Sequence, residues 1–346
     1  MPHDDGDHDG RRLAERYFVE VVRPLVAARW PGLSVAAGRL GSGSDVLGLD
    51  DATSRDHDWG LRLSLFVDDA MVDDVDRALA SDLPETAFGL PTRFPFTGED
   101  AARHHVEVAS PRAFAMARLG LDAGEPMSAV DWLSVSGQAA LEIVAGPVFA
   151  DEAGELTRIR TTLRCYPDDV RRHVIAVGWQ QIAEELPLLG RAAQVGDDLG
   201  SRIIAGRVAA TVVHLAFVIA RSWMPYAKWS GTLLRRLPGT GPLIGALDAA
   251  LRASDGAQRQ ARISGALEAL LDLQRASGLP APAPATEAFW DRPFRHPRAE
   301  VIEHLRAEIT DAGVRALAPT RGCIEQRTAD VALLTDPAAR RAIAAA

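Results

Sequence analysis

The sequence predicts an α+β protein in two parts: a mixed strand and helix half up to about residue 155, then a helical half. Three observations predict it. Before residue 155, short runs rich in apolar and β-branched residues alternate with stretches of helical period. After Leu156 long 3.6-residue periods take over, at Asp168–Glu185, Asp197–Ser222 and Gly241–Ser277. With 47% hydrophobic and 25% charged residues among 346, the chain has the composition of a globular protein of about two domains.

Residues 1–12 are acidic and polar, with no apolar core of a secretory signal, and read as a disordered N-terminus. Leu13, Tyr17, Phe18, Val21, Val22, Leu25 and Val26 set a helix over Leu13–Trp30, which Pro24 can kink. Leu33–Leu40 reads as a strand leading into the turn Gly41-Ser42-Gly43-Ser44, and Asp45–Ser54 as a loop. Asp58–Val67 alternates as a second strand, and Asp69–Ala80 is a surface helix with acidic first turns. Pro91–Phe96, Arg103–Ala109 and Leu141–Phe149 are further extended candidates. The domains are therefore drawn as 13–155 and 156–346, the second all-helical apart from an extended Pro/Ala linker at 278–286. A helix over Ala299–Ala312 follows the linker.

The formal net charge of −9 argues against a broad surface for extended nucleic acid and favours a small or cationic acceptor. Cys165 and Cys323 are too few for a disulfide framework, which makes a cytoplasmic setting the expectation. No uninterrupted apolar run reaches the ~18 residues of a membrane span. The longest candidate, Ile203–Ile219, carries Arg207 and His214 and reads as a buried helix, so no membrane partner is expected. Lys228 is the only lysine in the chain. A compact, rotatable ammonium retained among arginines marks it either as a functional cation or as a chance surface residue.

The candidate chemistry lies in the Gly41–Ser44 turn and in Asp56-His57-Asp58, twelve residues beyond Ser44. Glycines let backbone approach phosphate oxygens, and Ser44 adds a hydroxyl donor. Residues at i and i+2 of a strand share a face, so Asp56 and Asp58 converge while His57 points away. In Val106-Glu107-Val108 a carboxylate faces opposite to its valine neighbours, so Glu107 is either a third acidic group or a solvated strand residue. Rival motifs fail on spacing. The sixth position of a dinucleotide fingerprint starting at Gly41 is Val46, and no P-loop lysine is near. The twelfth position of a calcium loop from Asp56 is Val67, and no His-Glu-x-x-His helix exists.

Gly43-Ser44, the Asp56-x-Asp58 pair and Val106-Glu107-Val108 resemble the pattern of the nucleotidyltransferase superfamily, the fold shared by DNA polymerase beta and the aminoglycoside nucleotidyltransferases. The wider string from Gly41 through Gly60 is similar to an uncharacterised bacterial branch with a domain of unknown function and a helical C-terminal half. The likeness continues through Val130-Asp131-Trp132-Leu133, Ala145-Gly146-Pro147-Val148-Phe149, Tyr166-Pro167-Asp168-Asp169-Val170 and Tyr226-Ala227-Lys228-Trp229, up to about residue 240.

The resemblance implies an N-terminal polymerase-beta-like mixed-sheet domain followed by a helical acceptor-binding domain. It implies transfer of a nucleoside monophosphate from a nucleoside triphosphate, with ATP expected, to a hydroxyl acceptor, using two Mg2+ ions. Asp56, Asp58 and Glu107 would hold the metals, or Glu107 would serve as base; Gly43 and Ser44 would grip the terminal phosphates, and Lys228 would neutralise charge on the nucleotide. The alternatives are a catalytically silent nucleotide-binding or regulatory protein, or a toxin-like transferase acting on tRNA or protein. His104 and His105 lack a ligand partner at recognisable spacing and read as structural or solvent residues. Trp179, Trp223 and Trp229 read as core, Arg202, Arg207 and Arg221 as ion-pair partners of helix acids, and the two cysteines as inert.

Overall fold

The computed structural model describes residues 9–51 and 59–346, which fall into two compact units. One holds the described residues up to Pro126 together with Ala139–Arg164. The other holds Met127–Gln138 and Cys165–Ala346. In place of the single boundary expected near residue 155, the chain crosses between the units at 126/127, 138/139 and 164/165.

The first unit begins with α1 (Gly10–Tyr17), whose N-cap Asp9 accepts from the Arg11 backbone N–H. A π-helical turn over Phe18–Val22 joins it to α2 (Arg23–Arg29). Pro24 follows this widened turn in the first turn of α2, where its missing N–H is tolerated. Strands β1 (Ala36–Gly38) and β2 (Arg62–Phe66) flank the glycine turn and the acidic segment. Helix α3 (Val72–Asp82) follows, then the hairpin β3 (Thr86–Ala87) and β4 (Leu90–Pro91). Its two turn residues, Phe88 and Gly89, both have positive φ (53° and 76°), as a two-residue hairpin turn matched to strand twist requires. Next come β5 (Arg93–Phe94), β6 (Arg103–Ala109) and α4 (Pro111–Leu119).

Helix α5 (Ala129–Ser134) belongs to the second unit, and α6 (Gly137–Val144) carries the chain back into the first. Strand β7 (Val148–Asp151) and helix α7 (Glu155–Thr162) complete that unit. The expected strand Leu141–Phe149 is therefore corrected to the end of a helix, a turn and the start of a strand. Ala139, Ala140 and Ile143 are buried at helical spacing, a period the short apolar run hides from an alternation test.

The sheet runs β5-β6-β2-β1-β7, with β2 parallel to β6 and the other pairs antiparallel. Alternation gives its two faces different work. Leu63, Leu65 and Val106 join Tyr17, Phe18, Val22, Val75 and Leu79 in a buried core under the helices. The opposite face carries Arg62, Ser64 and Phe66 of β2 beside His105 and Glu107 of β6. Ser64 lies opposite Glu107 in register. Phe66 meets Phe114 of α4 edge to face, with centroids 5.0 Å apart, so α4 covers the far end of this face and leaves the Arg62, Ser64 and Glu107 end to a cleft.

The second unit is built on α8 (Asp168–Gln194), α9 (Asp198–Ile219), α10 (Ala227–Leu234), α11 (Gly241–Leu251) and α12 (Gly256–Ala276). A Cβ at Gly178 would come within 2.5 Å of Leu215, so that glycine sets the close approach of α8 to α9. Trp179 is fully buried and donates to Gln274 Oε1 at 2.8 Å. The single expected helix Gly241–Ser277 is two, because Asp255 caps α12 by accepting from the Gln258 N–H. Helix α9 is long and apolar enough to pass for a membrane span by composition, yet over half of that stretch is buried in the protein. The unit is not all-helical: β8 (Thr286–Ala288) and β9 (Arg295–Pro297) form a hairpin after the Pro/Ala segment. Helices α13 (Ala299–Ala307), α14 (Ala312–Arg315), α15 (Ile324–Arg327), α16 (Val331–Thr335) and α17 (Pro337–Ala345) end the chain.

Candidate functional site

The glycine turn is fixed from beneath by a buried ion pair. Arg39, 2% exposed, closes a fork on Asp45, with Nε 2.6 Å from Oδ2 and Nη2 2.9 Å from Oδ1. The same guanidinium donates to the carbonyls of Leu40 (2.6 Å) and Ser42 (2.9 Å). One side chain thus ties both ends of Leu40–Asp45 together, and a bidentate pair of this kind fixes direction as well as distance. Gly43 is required here: its φ is +135°, and a Cβ would sit 2.6 Å from Arg39 Nη2. Arg11 of α1 adds a second latch, donating to the carbonyls of Asp45 (2.8 Å) and Val46 (2.6 Å).

Above the turn, Arg62 Nη2 donates to the Ser42 carbonyl at 3.0 Å, and its guanidinium lies 5.2 Å from the Phe96 ring centroid. Glu107 faces the same space. Arg118 of α4 donates to both its oxygens, at 3.1 and 2.9 Å, and its Nε lies 3.4 Å from Glu142 Oε2. Arg118 also rests on the Phe114 ring, 3.4 Å from the centroid, so aromatic packing and two carboxylates orient it. A Cβ on Gly41 would stand 3.0 Å from Arg118 Nη2 and 3.7 Å from Glu107 Oε2. The turn, Glu107 and Arg118 are therefore immediate neighbours.

These groups line a cleft of about 710 Å³. Among the described residues, its charged walls are Arg39, Arg62, Arg93, Arg103 and Arg118 against Asp76 and Glu107. The lining is rich in arginine for a chain of net charge −9, with Arg39, Arg103 and Arg118 paired to Asp45, Glu99 and Glu142. His105 forms part of the wall without adding charge. It donates from Nε2 to the Phe94 carbonyl (2.7 Å) and stacks on Phe96 with centroids 3.6 Å apart. Burial, helped by the nearby Arg103 and Arg62 charges, pushes its pKa below the ordinary histidine value. His104 lies 3.5 Å from Asp76. Both histidines are packed into the wall.

Gly43, Ser44 and Glu107 are in the first unit; Glu107 lines the cleft, and the turn lines it through Gly41 and Ser42 rather than through Gly43 and Ser44. Asp56, His57 and Asp58 lie outside the described residues. Lys228 lies in the second unit, in the first turn of α10, exposed, with Nζ 4.9 Å from the Trp229 ring centroid. The three arginines are ion-pair residues: on α9, Arg202 with Asp198 (2.7 Å) and Arg207 with Glu185, and in the turn after α9, Arg221 with Asp168. Sequence reasoning missed Arg39, Arg62 and Arg118. Arg62 carried a signal, since it lies two residues before Ser64 and so shares its face. Arg118 carried none, because its partner is eleven residues away on another element.

A family described as a domain of unknown function (DUF4037) matches residues 132–230. No curated protein matches the chain. Among solved structures, a nucleotidyltransferase-like protein from Exiguobacterium sibiricum 255-15 is similar over 76% of each chain, with 11% identity and a TM-score of 0.35. At that score the likeness is looser than a shared fold.

Proposed function

We propose that the chain is a magnesium-dependent nucleotidyltransferase that moves a nucleoside monophosphate from a nucleoside triphosphate, ATP being the expected donor, to a hydroxyl on a small acceptor. The observation that carries this reading is the placement of Glu107. It lies on β6 beside β2, the strand that Asp56-x-Asp58 shortly precedes, and it faces an arginine-rich cleft next to the Gly41–Ser44 turn.

The donor chemistry fits a hard divalent ion. Glu107 presents carboxylate oxygens, the sequence supplies two more carboxylates at Asp56 and Asp58, and the His105 Nε2 is engaged by a backbone carbonyl. Asp56, Asp58 and Glu107 would hold the ions, which when bound neutralise triphosphate charge and activate the acceptor oxygen. The chain's own part is preorganisation. Gly41 and Gly43 let backbone approach phosphate, and Arg62 and Arg118 supply fixed positive charge; Lys228, in the second unit, is proposed as a further cation for the nucleotide. Arg118 is shared between Glu107 and any phosphate that enters. An arriving triphosphate competes for the guanidinium and releases Glu107 to receive a metal or the acceptor proton.

One observation favours a second reading, a catalytically silent nucleotide-binding protein: both Glu107 oxygens are engaged by Arg118. Incubation with α-labelled and γ-labelled ATP, magnesium and a panel of hydroxyl acceptors separates the two. Transfer predicts α-label in the acceptor and release of pyrophosphate. γ-Label in the acceptor would mean a kinase, and binding with no label transferred would leave the silent reading standing.

A further inference from the structure

A second constellation lies wholly within the helical unit and takes no part in the chemistry proposed above. His214 of α9 is 6% exposed, and Cys323, the N-cap of α15, is fully buried. Cys323 Sγ lies 3.7 Å from His214 Nε2. Glu325, in the first turn of α15, turns its carboxylate to the same place. One donor atom each from His214, Cys323 and Glu325 lie within 4.8 Å of one another, the one such set among the described residues. Two polar atoms in this cluster, His214 Nδ1 and Glu325 Oε2, are enclosed and have no hydrogen-bond partner. The other Glu325 oxygen accepts from the Gly137 N–H.

We propose that His214, Cys323 and Glu325 bind a zinc-class divalent cation that ties α15 to α9. A thiolate, an imidazole and a carboxylate together select zinc or a similar borderline-soft ion over magnesium or calcium. Zinc bonds of about 2.3 Å to sulfur and about 2.0–2.1 Å to nitrogen, at a tetrahedral angle, put the two donors about 3.5–3.6 Å apart. The observed 3.7 Å meets that separation before any adjustment.

His214 is buried, and neutral imidazole is the form that ligates. Metal entry sends at least the thiol proton to solvent, and the cation then balances the thiolate and the carboxylate in a core that tolerates neither alone. The gain is architectural. Helix α15 has four residues, too few to hold itself, and the ion joins it to a helix 109 residues earlier in the chain.

The test is titration of the chelator-stripped full chain with cobalt(II) alone. The expected result is one tightly bound cobalt per chain, with thiolate-to-cobalt charge-transfer absorption and tetrahedral ligand-field bands, bleached by zinc. Cys323→Ser should abolish the charge-transfer band and Cys165→Ser should keep it. His214→Gln should weaken binding by more than the roughly 10–100-fold that loss of an outer-shell partner costs. Cobalt held by carboxylates in the cleft of the first unit would give no thiolate band. Absence of the band in the wild type, or its survival in Cys323→Ser, overturns the proposal. If stripping unfolds the chain, metal content after purification without chelator decides: about one zinc per wild-type chain and none in Cys323→Ser supports the site, and equal contents overturn it.

Discussion

Arg118 grips Glu107 by both carboxylate oxygens, at 3.1 and 2.9 Å, while Glu142 holds its other edge at 3.4 Å. The Glu107 side chain is 47% exposed and that of Arg118 is 15% exposed, so solvent screens the pair and it adds little to folding.

Glu107→Gln should therefore cost below about 1 kcal/mol in denaturant unfolding, in line with other partly exposed pairs. The same change should lower nucleotidyl transfer by about 10²–10⁴-fold, the range for loss of a positioned acid or base. Wild-type turnover in Glu107→Gln would remove this residue from the chemistry.

Gly43→Ala tests the turn itself. The φ of +135° and the approach to Arg39 Nη2 leave no room for a methyl group. Backbone strain of this kind costs about 1–3 kcal/mol. We expect a loss of that size in urea unfolding, with weaker nucleotide binding. An unchanged midpoint would mean that the turn yields without cost.

The pH dependence has a defined sign. His105 in the folded chain titrates below the ordinary histidine value of about 6.5, chiefly through burial and with Arg103 and Arg62 adding to it; the hydrogen bond to Phe94 and the Glu99 charge act the other way. As pH falls below 6.5 the unfolded chain takes up this proton first. Stability from His105 is thus complete above pH ~6.5 and is lost as pH drops through the lower folded value. His105→Phe should flatten that part of the stability profile, and an identical slope in the variant would rule out His105 as its source.

Lys228 should act on ligand rather than on fold. It is exposed on α10, so Lys228→Ala should move stability by no more than about 0.5 kcal/mol. If its ammonium meets the triphosphate, the variant should bind nucleotide about tenfold more weakly, the worth of one charge-assisted hydrogen bond. Normal binding by both Lys228→Ala and Lys228→Arg would end that role.

Much of the first unit was legible because its signals are local. Alternation in Arg103–Ala109 marks β6, and the crowded glycines mark a turn that only residues without a Cβ can make. What stayed hidden depends on partners far apart in the chain. Arg118 meets Glu107 across eleven positions, and His214 meets Cys323 across 109. Cys323 looked inert in sequence because its neighbours are from another helix. The stretch Leu141–Phe149 failed for a different reason: a short apolar run fits strand and buried helix equally until its burial period is known. The Ser254-Asp255-Gly256 break is a local signal of the same kind, since Asp255 caps α12.

Calorimetric titration with ATP, GTP, CTP and UTP in magnesium, comparing wild type with the paired Asp56→Asn, Asp58→Asn variant, tests the central claim most directly. The account predicts saturable binding of at least one nucleotide that is lost without magnesium and lost in the variant. No binding of any nucleotide by the wild type, or binding indifferent to both magnesium and the two carboxylates, would contradict it.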